Sequence, residues 1–249
     1  ETVTAEGGSS TKVFDLDAVR ARLTWKYPFE PATKETAKTN VSVLRRRATE
    51  EDEEARQLFT QRRRVRRDGT LTAAEIGTAH HLFMQRTMFE RTGSVLDLRN
   101  QAGRLVQEGF LTPAEAAALD YDALFAFWTS EFGRRVAAAP HLVHRELPFT
   151  ARFSIGELRA LGFNCGEAAP DEFVVVQGIV DLAVIGGDGI EILDFKTDRV
   201  RAGEAPEKAA AYTPQIRLYA AALRAIYNRP VRRASLHFLA TGETLPIVP

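Results

Sequence analysis

Two acids and a lysine lie inside two apolar runs between residues 173 and 196. Asp181 lies in a run rich in Val, Ile and Phe, and Asp194 and Lys196 lie at the end of the next run. Burying such charges is costly unless they are paired or bind a cation. Two acids and a lysine that converge at one end of a sheet can hold a divalent cation and stabilise charge on a phosphate.

The elements that must position these charges are the two strands of a hairpin. Phe173–Ile185 is predicted to be a strand, residues 186–189 are a glycine-rich turn, and Ile190–Phe195 is the return strand. Asp194 and Lys196 are two residues apart, so on a strand they point to the same face, with Cα atoms roughly 6.7 Å apart. The ordinary alternative is a pair of solvated or salt-bridged hairpin carboxylates with Lys196 as a surface charge.

Two adjacent histidines lie in a predicted helix upstream of the hairpin. The capping-box pattern that starts at Thr72 predicts a helix to about Arg91. Gly77 lies one turn before His81 and costs about 1 kcal/mol of helix propensity, which indicates that another group approaches closely beside His81. A lone histidine is more often a hydrogen-bonded core residue, and the pattern alone does not choose between His80 and His81.

A helix downstream of the hairpin carries two more polar candidates. Pro214 predicts a helix start, with the helix running to about Tyr227 after a loop at 197–211. Gln215 and Tyr219 are four residues apart and share a face near that start. Backbone N–H donors at a helix start suit a phosphate. The alternative is that the two side chains only cap sheet edges.

The remaining pattern completes an α/β fold with helices on both faces of the sheet. A strand at His144–Phe153 carries Glu146, which is either an edge acid or a further group near the site. Residues 154–172 are predicted to be a surface excursion. The other predicted elements are helices at Asp15–Leu23, at Asn40–Leu44 with Ser42 as its cap, at Thr112–Leu119 and at Asp120–Ala138, and strands at Ala234–Leu239 and Leu245–Val248.

The composition limits the classes of function. The 249 residues contain 33 Lys plus Arg and 33 Asp plus Glu, so net charge gives no indication of a polyanionic partner. Cys165 is the single cysteine, which excludes a disulfide framework or a four-cysteine metal site within the chain and fits a reducing cytoplasm. No apolar run approaches the roughly 18 residues that span a bilayer, so no membrane partner is expected.

Taken together, these residues resemble the PD-(D/E)XK nuclease superfamily, in its RecB-like branch. That branch carries an upstream Gly-Thr-x-x-His helix, which puts His81 in the histidine position. The resemblance implies a restriction-endonuclease-like mixed central sheet flanked by helices, and a Mg²⁺-dependent deoxyribonuclease of the exonuclease type. The matching residues occur in the family's order: Asp181, Asp194-Phe-Lys196 and Gln215-Ile-Arg-Leu-Tyr219.

The resemblance also implies a role for each candidate residue. The cation, Mg²⁺ with Mn²⁺ as a substitute, would be bound by His81, Asp181, Asp194 and the backbone carbonyl of Phe195. Lys196 would orient or deprotonate the attacking water, or neutralise charge in the transition state. The other implied catalytic positions are Gln215 and Tyr219, which would position the scissile strand, and Glu146, which would hold a water or a second ion.

The leading segment resembles the region that joins helicase to nuclease in AddA-type subunits of AddAB helicase–nucleases. The matching stretches are Leu23–Phe29 and Asn40–Leu44. This resemblance implies that 1–47 is a linker segment from a preceding helicase region and that 48–249 is the nuclease domain. The implied partners are a DNA strand ending 3′ at the break and fed from an unwound duplex, the helicase region in cis, and an AddB-like subunit.

The implied setting is the bacterial cytoplasm, in double-strand-break end processing for homologous recombination. Two other functions compete with this one. The first is a catalytically inactive nuclease-like module that binds DNA ends or acts as a scaffold, which is disfavoured because every charged position of the pattern is filled. The second is a free-standing RecB-family exonuclease, which is disfavoured by the AddA-like leading segment and by the start at Glu1.

Overall fold

The computed structural model describes residues 16–26, 38–48, 71–165, 172–198, 200–201 and 203–249. Within these residues, a six-stranded mixed sheet is flanked by helices, as predicted. The strands are β1 (Lys38–Asn40), β2 (Val143–Ser154), β3 (Phe173–Ile185), β4 (Ile190–Lys196), β5 (Val231–Phe238) and β6 (Glu243–Ile247). The α-helices are α1 (Leu16–Thr24), α2 (Val41–Ala48), α3 (Ala73–Arg86), α4 (Val95–Gln107), α5 (Pro113–Ala117), α6 (Tyr121–Thr129), α7 (Glu131–Ala138), α8 (Ile155–Ala160) and α9 (Ala205–Tyr227).

Strand β3 is the centre of the sheet. Its partners are β2 and β4, both antiparallel, and the short parallel strand β1. On the far side of β4, strand β5 runs parallel to it and β6 closes the order as an antiparallel neighbour. The predicted hairpin of β3 and β4 is therefore correct, and it occupies the middle of the sheet. Of the predicted linker segment, 1–15 and 27–37 lie outside the described residues.

Two apolar cores lie on opposite faces of the sheet. One core holds α2, α8 and α9, and the other holds α3 to α7. Strand β4 contributes to both because its side chains alternate: Ile190 and Ile192 pack in the first core, and Leu193 and Phe195 pack in the second. Burial on both faces explains why β4 is almost continuously apolar. Asp194 and Lys196, at the end of β4, therefore lie between two layers of helices.

The predicted helix starts at Thr72, Thr112 and Asp120 are correct. The Thr72 hydroxyl accepts from the Glu75 N–H at 3.2 Å, and the Glu75 carboxylate accepts from the Thr72 N–H at 2.7 Å. Thr112 begins α5 with the same capping box, and the Asp120 carboxylate caps α6. These starts are predictable because a cap requires only residues within one turn.

The helix start predicted at Pro214 is wrong. Helix α9 begins at Ala205, with Pro206 in its first turn, and Pro214 lies inside it. The loop predicted at 197–211 is therefore helical from Ala205 onwards. Both prolines suit a first turn, and the chain uses the earlier one. Gln215 is consequently more than two turns from the helix start, so the phosphate site predicted at that start is not formed.

Other boundaries differ because tertiary packing decides them. The helix from Thr72 ends at Arg86, and Thr87 is already extended. The single helix predicted at 120–138 is two helices, because Ser130 is extended and its hydroxyl caps α7 by accepting from the Gly133 N–H at 3.1 Å. A side chain at Gly133 would collide with the Phe127 carbonyl, so glycine permits this close turn between α6 and α7.

The excursion predicted at 154–172 contains α8, whose Ile155 and Leu158 are buried. Helix α4 had no predicted counterpart. The cap of α2 is Asn40, whose Oδ1 accepts from the Val43 N–H at 2.9 Å, rather than Ser42. In the described part of the chain, none of the helices combines the length and the apolar character that a bilayer crossing requires.

Candidate metal centre and its lysine

The site forms where β3 and β4 separate. The last pair of their antiparallel ladder is Leu182 with Leu193. Asp181 and Asp194 occupy the next position, where the strands are no longer paired. The Phe195 N–H instead donates to the Asp181 carboxylate at 2.7 Å, so a side chain replaces the backbone partner. Because N–H and C=O of one strand residue point to the same edge, the Phe195 carbonyl also points toward β3. Two acids and one carbonyl thus converge at the fork.

Glu146 enters the same place from the opposite edge of β3. It stands across from Asp181 in β2, and this position is left out of an otherwise continuous ladder between the two strands. Its φ of 49° is in the left-handed region, which non-glycine residues rarely adopt. Such backbone conformations persist where the surrounding structure enforces them, and they are frequent at functional sites. The sequence pattern left Glu146 undecided, and the structure places it in the site.

His81 reaches the acids from helix α3. Its Nδ1 lies 3.5 Å from Asp181 Oδ2 and 4.0 Å from Glu146 Oε1. One ligand atom from each of these three residues lies within 4.8 Å of the other two. We call His81, Glu146 and Asp181 the open half of the site, because the His81 and Glu146 side chains are 31% and 26% exposed.

His80 has a different position. Its Nδ1 lies 2.8 Å from the Ile76 carbonyl, and its Nε2 accepts from the Asp120 N–H at 2.9 Å. Both ring nitrogens are therefore used, and they connect α3 to the start of α6. Burial lowers the pKa of His80, which keeps the ring neutral. The structural role expected for a lone histidine belongs to His80, and His81 faces the acids.

The rest of the predicted site residues form a buried second half. Lys196 Nζ lies 2.9 Å from Asp194 Oδ2, so the two side chains share a face as predicted. Gln215 Nε2 donates to Asp194 Oδ1 at 3.2 Å and to the Tyr219 hydroxyl at 2.8 Å. We call Asp194, Lys196, Gln215 and Tyr219 the closed half of the site. The Asp194 side chain is 2% exposed and that of Lys196 is 11% exposed.

The ionisation of the open half shows a negative local field. Burial opposes the charged form of His81, but Asp181, Asp194 and Glu146 outweigh it and raise the pKa of His81 to about 9. Burial, with the charges of Asp181 and Asp194, raises the pKa of Glu146 to about 7 despite His81. Burial alone would raise the pKa of Asp181, but the charge of His81 and the hydrogen bond from His81 lower it. The open half therefore attracts positive charge.

These residues fit a hard divalent cation. Carboxylate and carbonyl oxygens are the ligands that Mg²⁺ and Mn²⁺ prefer, and one imidazole is compatible with Mn²⁺. The three residues whose ligand atoms lie nearest one another are His81, Glu146 and Asp181. Asp194 is not in this group, and its carboxylate contacts Lys196. Asp194 Oδ2 is buried beside the Lys196 ammonium, and because a carboxylate oxygen has two lone pairs it can face a cation as well. Burial raises the pKa of Asp194, with the Asp181 charge acting in the same direction and Lys196 against it.

Gly77 allows the two halves to approach each other. A Cβ atom at Gly77 would lie 2.7 Å from the hydroxyl oxygen of Thr197, the residue that follows Lys196. The close neighbour expected from glycine beside His81 is thus the chain directly after β4. A side chain here would have to displace the Thr197 hydroxyl, directly after the strand that carries Asp194 and Lys196.

Sequence reasoning missed two residues next to Lys196. Tyr212 lies under the Lys196 ammonium, 4.0 Å from it to the ring centroid. The Tyr212 hydroxyl donates to Asp198 at 2.9 Å. Tyr212 was missed because the helix start was placed after it. Its spacing of three residues from Gln215 and seven from Tyr219 was the available signal, since helical residues at these intervals share a face.

A mixed sheet with two acids and a lysine at a strand fork is the arrangement implied by the resemblance to PD-(D/E)XK nucleases. A family model of the PD-(D/E)XK nuclease superfamily matches residues 45–245. The chain therefore belongs to this superfamily, and its fold is that of a nuclease domain.

Curated relatives narrow the similarity further. The chain is 38% identical over 231 residues to an ATP-dependent helicase/nuclease subunit from Moorella thermoacetica, covering 90% of this chain and 16% of the relative. It is 34% identical over 243 residues to the protein of the same name from Bacillus licheniformis, covering 91% and 19%. The match in Desulforamulus reducens is 32% identical over 242 residues, covering 93% and 19%. The chain thus spans less than a fifth of the length of these relatives.

Proposed function

We propose that this chain is the nuclease domain of a longer protein of the ATP-dependent helicase–nuclease type, and that it hydrolyses DNA phosphodiester bonds with Mg²⁺, as an exonuclease. The observation that carries the proposal is the juxtaposition of the open half with Lys196 at one strand fork. The pattern is complete at each charged position, which argues against an inactive binding module. The names of the relatives argue against a free-standing exonuclease.

The cation would be held by His81, Asp181 and Asp194, together with the Phe195 carbonyl and Glu146. When bound, it supplies Lewis acidity, which polarises a phosphoryl oxygen and lowers the pKa of a water. Glu146 would hold a water or a second ion beside that cation.

Lys196 is assigned the electrostatic role. Its ammonium group lies between the Asp194 carboxylate and the face of Tyr212. A positive charge fixed in this way donates to, and neutralises, the additional negative charge that develops on the phosphate in the transition state. Gln215 and Tyr219 would contribute by holding Asp194 in place, which positions the cleaved strand indirectly.

The partners follow from the proposed whole protein. We propose a helicase region in cis, joined through 1–47, and a second, AddB-like subunit. The substrate would be a single DNA strand fed from an unwound duplex in the bacterial cytoplasm, during double-strand-break processing for recombination. In this arrangement, 38–47 would form part of both the linker and the nuclease fold, because Lys38–Asn40 pairs with β3 and Val41 is buried in the core.

The test is a cleavage assay on single-stranded DNA labelled at either end. The chain should release mononucleotides or short oligonucleotides with Mg²⁺ or Mn²⁺, and excess EDTA should abolish cleavage. A crystal soaked in Mn²⁺ should show anomalous density between His81 and Asp181. Cleavage that survives excess EDTA would overturn the metal mechanism, and absence of cleavage with every nucleic acid tried would favour the binding module.

A further inference from the structure

The Lys196 side chain is held on two sides within the closed half. Asp194 provides a carboxylate 2.9 Å from Nζ, and the Tyr212 ring lies beneath the ammonium, with its centroid 4.0 Å away. A cation at this distance from an aromatic face is attracted by the ring quadrupole, and more strongly when both are shielded from water. Tyr212 is 1% exposed, so its ring is a fixed part of the core.

Tyr212 is itself fixed by the chain that follows Lys196. Its hydroxyl donates to the Asp198 carboxylate, whose two oxygens lie 3.0 and 2.9 Å away. Asp198 also pairs with Lys208 of helix α9 at 3.6 Å. Tyr212 therefore contacts both Lys196 and Asp198, which lie two residues apart in the chain. The end of β4 is tied to α9 directly beside the reacting groups.

We propose that Tyr212, fixed by Asp198, is a positioning residue that directs the Lys196 ammonium toward the open half. A lysine has a flexible four-carbon stem, and contacts on two sides restrict its ammonium group more than one contact does. Asp194 supplies the charge and Tyr212 supplies the surface. The catalytic part of this inference rests on the proposed nuclease function, whereas the contact between ring and ammonium does not.

The kinetic test compares Tyr212→Leu with Tyr212→Phe. The leucine variant lacks the ring, and we expect its kcat to fall on the order of 10-fold to 100-fold, because small misplacements of catalytic groups have effects of this size. Its KM for the DNA strand and its affinity for Mn²⁺ should not change. Tyr212→Phe retains the ring but lacks the hydroxyl that Asp198 fixes. It should recover most of the lost kcat and keep only the smaller deficit expected of Asp198→Ala.

Leu223→Ala is the matched control, since Leu223 is fully buried in the same helix and lies three turns further along. Leu223→Ala should lower the thermal stability but should not show the decrease in kcat expected of Tyr212→Leu. A Tyr212→Leu variant with wild-type kcat, or one whose kcat falls only as far as that of Leu223→Ala, would overturn the proposal. A loss of Mn²⁺ affinity that accounts for the whole loss of activity would overturn it as well.

An NMR measurement tests the contact independently of cleavage. The chain contains six lysines, so a sample labelled with ¹³C at the lysine ε carbon gives few signals. The Lys196 signal, assigned with Lys196→Arg, should be shifted upfield by the Tyr212 ring current, retain that shift in Tyr212→Phe and lose it in Tyr212→Leu. An unshifted signal in the wild-type protein would overturn the proposal even if cleavage is observed. A shifted signal without cleavage would leave the contact intact and refute the proposed function instead.

If Tyr212→Leu does not fold, Asp198 gives the second pair of variants. Asp198→Asn retains an oxygen that accepts from the Tyr212 hydroxyl, whereas Asp198→Ala removes it. We expect kcat to fall in Asp198→Ala and to be restored in Asp198→Asn, with the same KM in both. Equal kcat values in these two variants would contradict the positioning role.

Discussion

The open and closed halves of the site are built in opposite ways. In the closed half, Asp194 has both a positive partner, Lys196, and a hydrogen-bond donor, Gln215. In the open half, the acids have one histidine between them, and both His81 and Glu146 bind protons more tightly than usual. The negative charge that lacks a fixed lysine partner therefore lies around His81 and Glu146, the two more exposed side chains of the site.

This difference separates two tasks that a phosphodiester hydrolase must perform. A region with uncompensated negative charge and solvent access can exchange protons for a divalent cation. A buried, paired region provides fixed charges, and fixed charges stabilise a transition state without reorganisation. The comparison predicts that variants of the open half, and of Asp194, change cation binding. Variants of the other closed-half residues, Lys196 above all, change the rate with cation binding intact.

The largest effect is expected for Asp181→Asn. Asparagine retains an oxygen that accepts from the Phe195 N–H, so the strand fork should be preserved, but one negative charge is lost. Cleavage should fall roughly 10³-fold or more, because a bound cation contributes several kcal/mol of transition-state stabilisation. Mn²⁺ binding, measured by calorimetry, should fall in parallel. A variant that binds Mn²⁺ normally would show that Asp181 is not a ligand.

Lys196→Met tests the closed half. Methionine keeps an apolar stem near Tyr212 and removes the charge, so cleavage should fall on the order of 10²-fold to 10³-fold. Mn²⁺ affinity should be retained or increased, since a positive charge near the acids is lost. Circular dichroism should show a folded protein, because protonation of Asp194 relieves much of the cost of an unpaired buried carboxylate. Loss of Mn²⁺ binding in Lys196→Met would contradict the separation of cation binding from the role of Lys196.

The two adjacent histidines give a third, smaller test. His81→Ala should weaken Mn²⁺ binding about 100-fold, because one ligand of the open half is removed. His80→Ala should leave Mn²⁺ binding unchanged. It should instead lower the free energy of unfolding by about 1–3 kcal/mol, since the buried His80 ring and its part-buried bond to the Asp120 N–H are lost. The reverse pattern, measured by calorimetry and denaturant titration, would move the ligand assignment to His80.

The parts of the site that were predictable from sequence depend on local geometry. Asp194 and Lys196 had to share a face because side chains alternate along a strand. The capping box at Thr72 set the start of α3 for the same kind of reason. Bringing His81 to the acids was not a consequence of spacing, because the helix and the hairpin are a hundred residues apart in sequence. That step came from the family resemblance.

The missed features are set by contacts between distant segments. The left-handed φ of Glu146 has no local signal such as glycine, so its entry into the site depends on β2 and β3 together. Pro206 and Pro214 carry the same helix-start signal, and burial of Tyr212 favours the earlier start. The break at Ser130 follows from the packing of Gly133 on Phe127.

A third histidine extends the comparison to the core behind the site. Phe195 packs edge-on against His81, with ring centroids 6.4 Å apart, and against His237, with centroids 6.1 Å apart. His237 is 1% exposed and has Thr244 as a hydroxyl partner at Nδ1. Burial lowers the pKa of His237 to about 4. The same side chain thus gains proton affinity beside the acids and loses it in an apolar environment.

The smallest effect is therefore expected in the pH dependence of stability. The unfolded chain protonates His237 near its ordinary pKa of about 6.5, and the folded chain does so only near 4, so the unfolded state binds more protons between these values. Stability contributed by His237 is present above pH 6.5 and is lost as the pH falls toward 4. Between pH 7 and pH 5 the loss is about 2 kcal/mol. His237→Gln retains a polar group for Thr244 but does not titrate, so its unfolding free energy should fall less over this range. Parallel curves for the two proteins, measured in urea with EDTA present, would show that His237 does not bind protons differently in the two states.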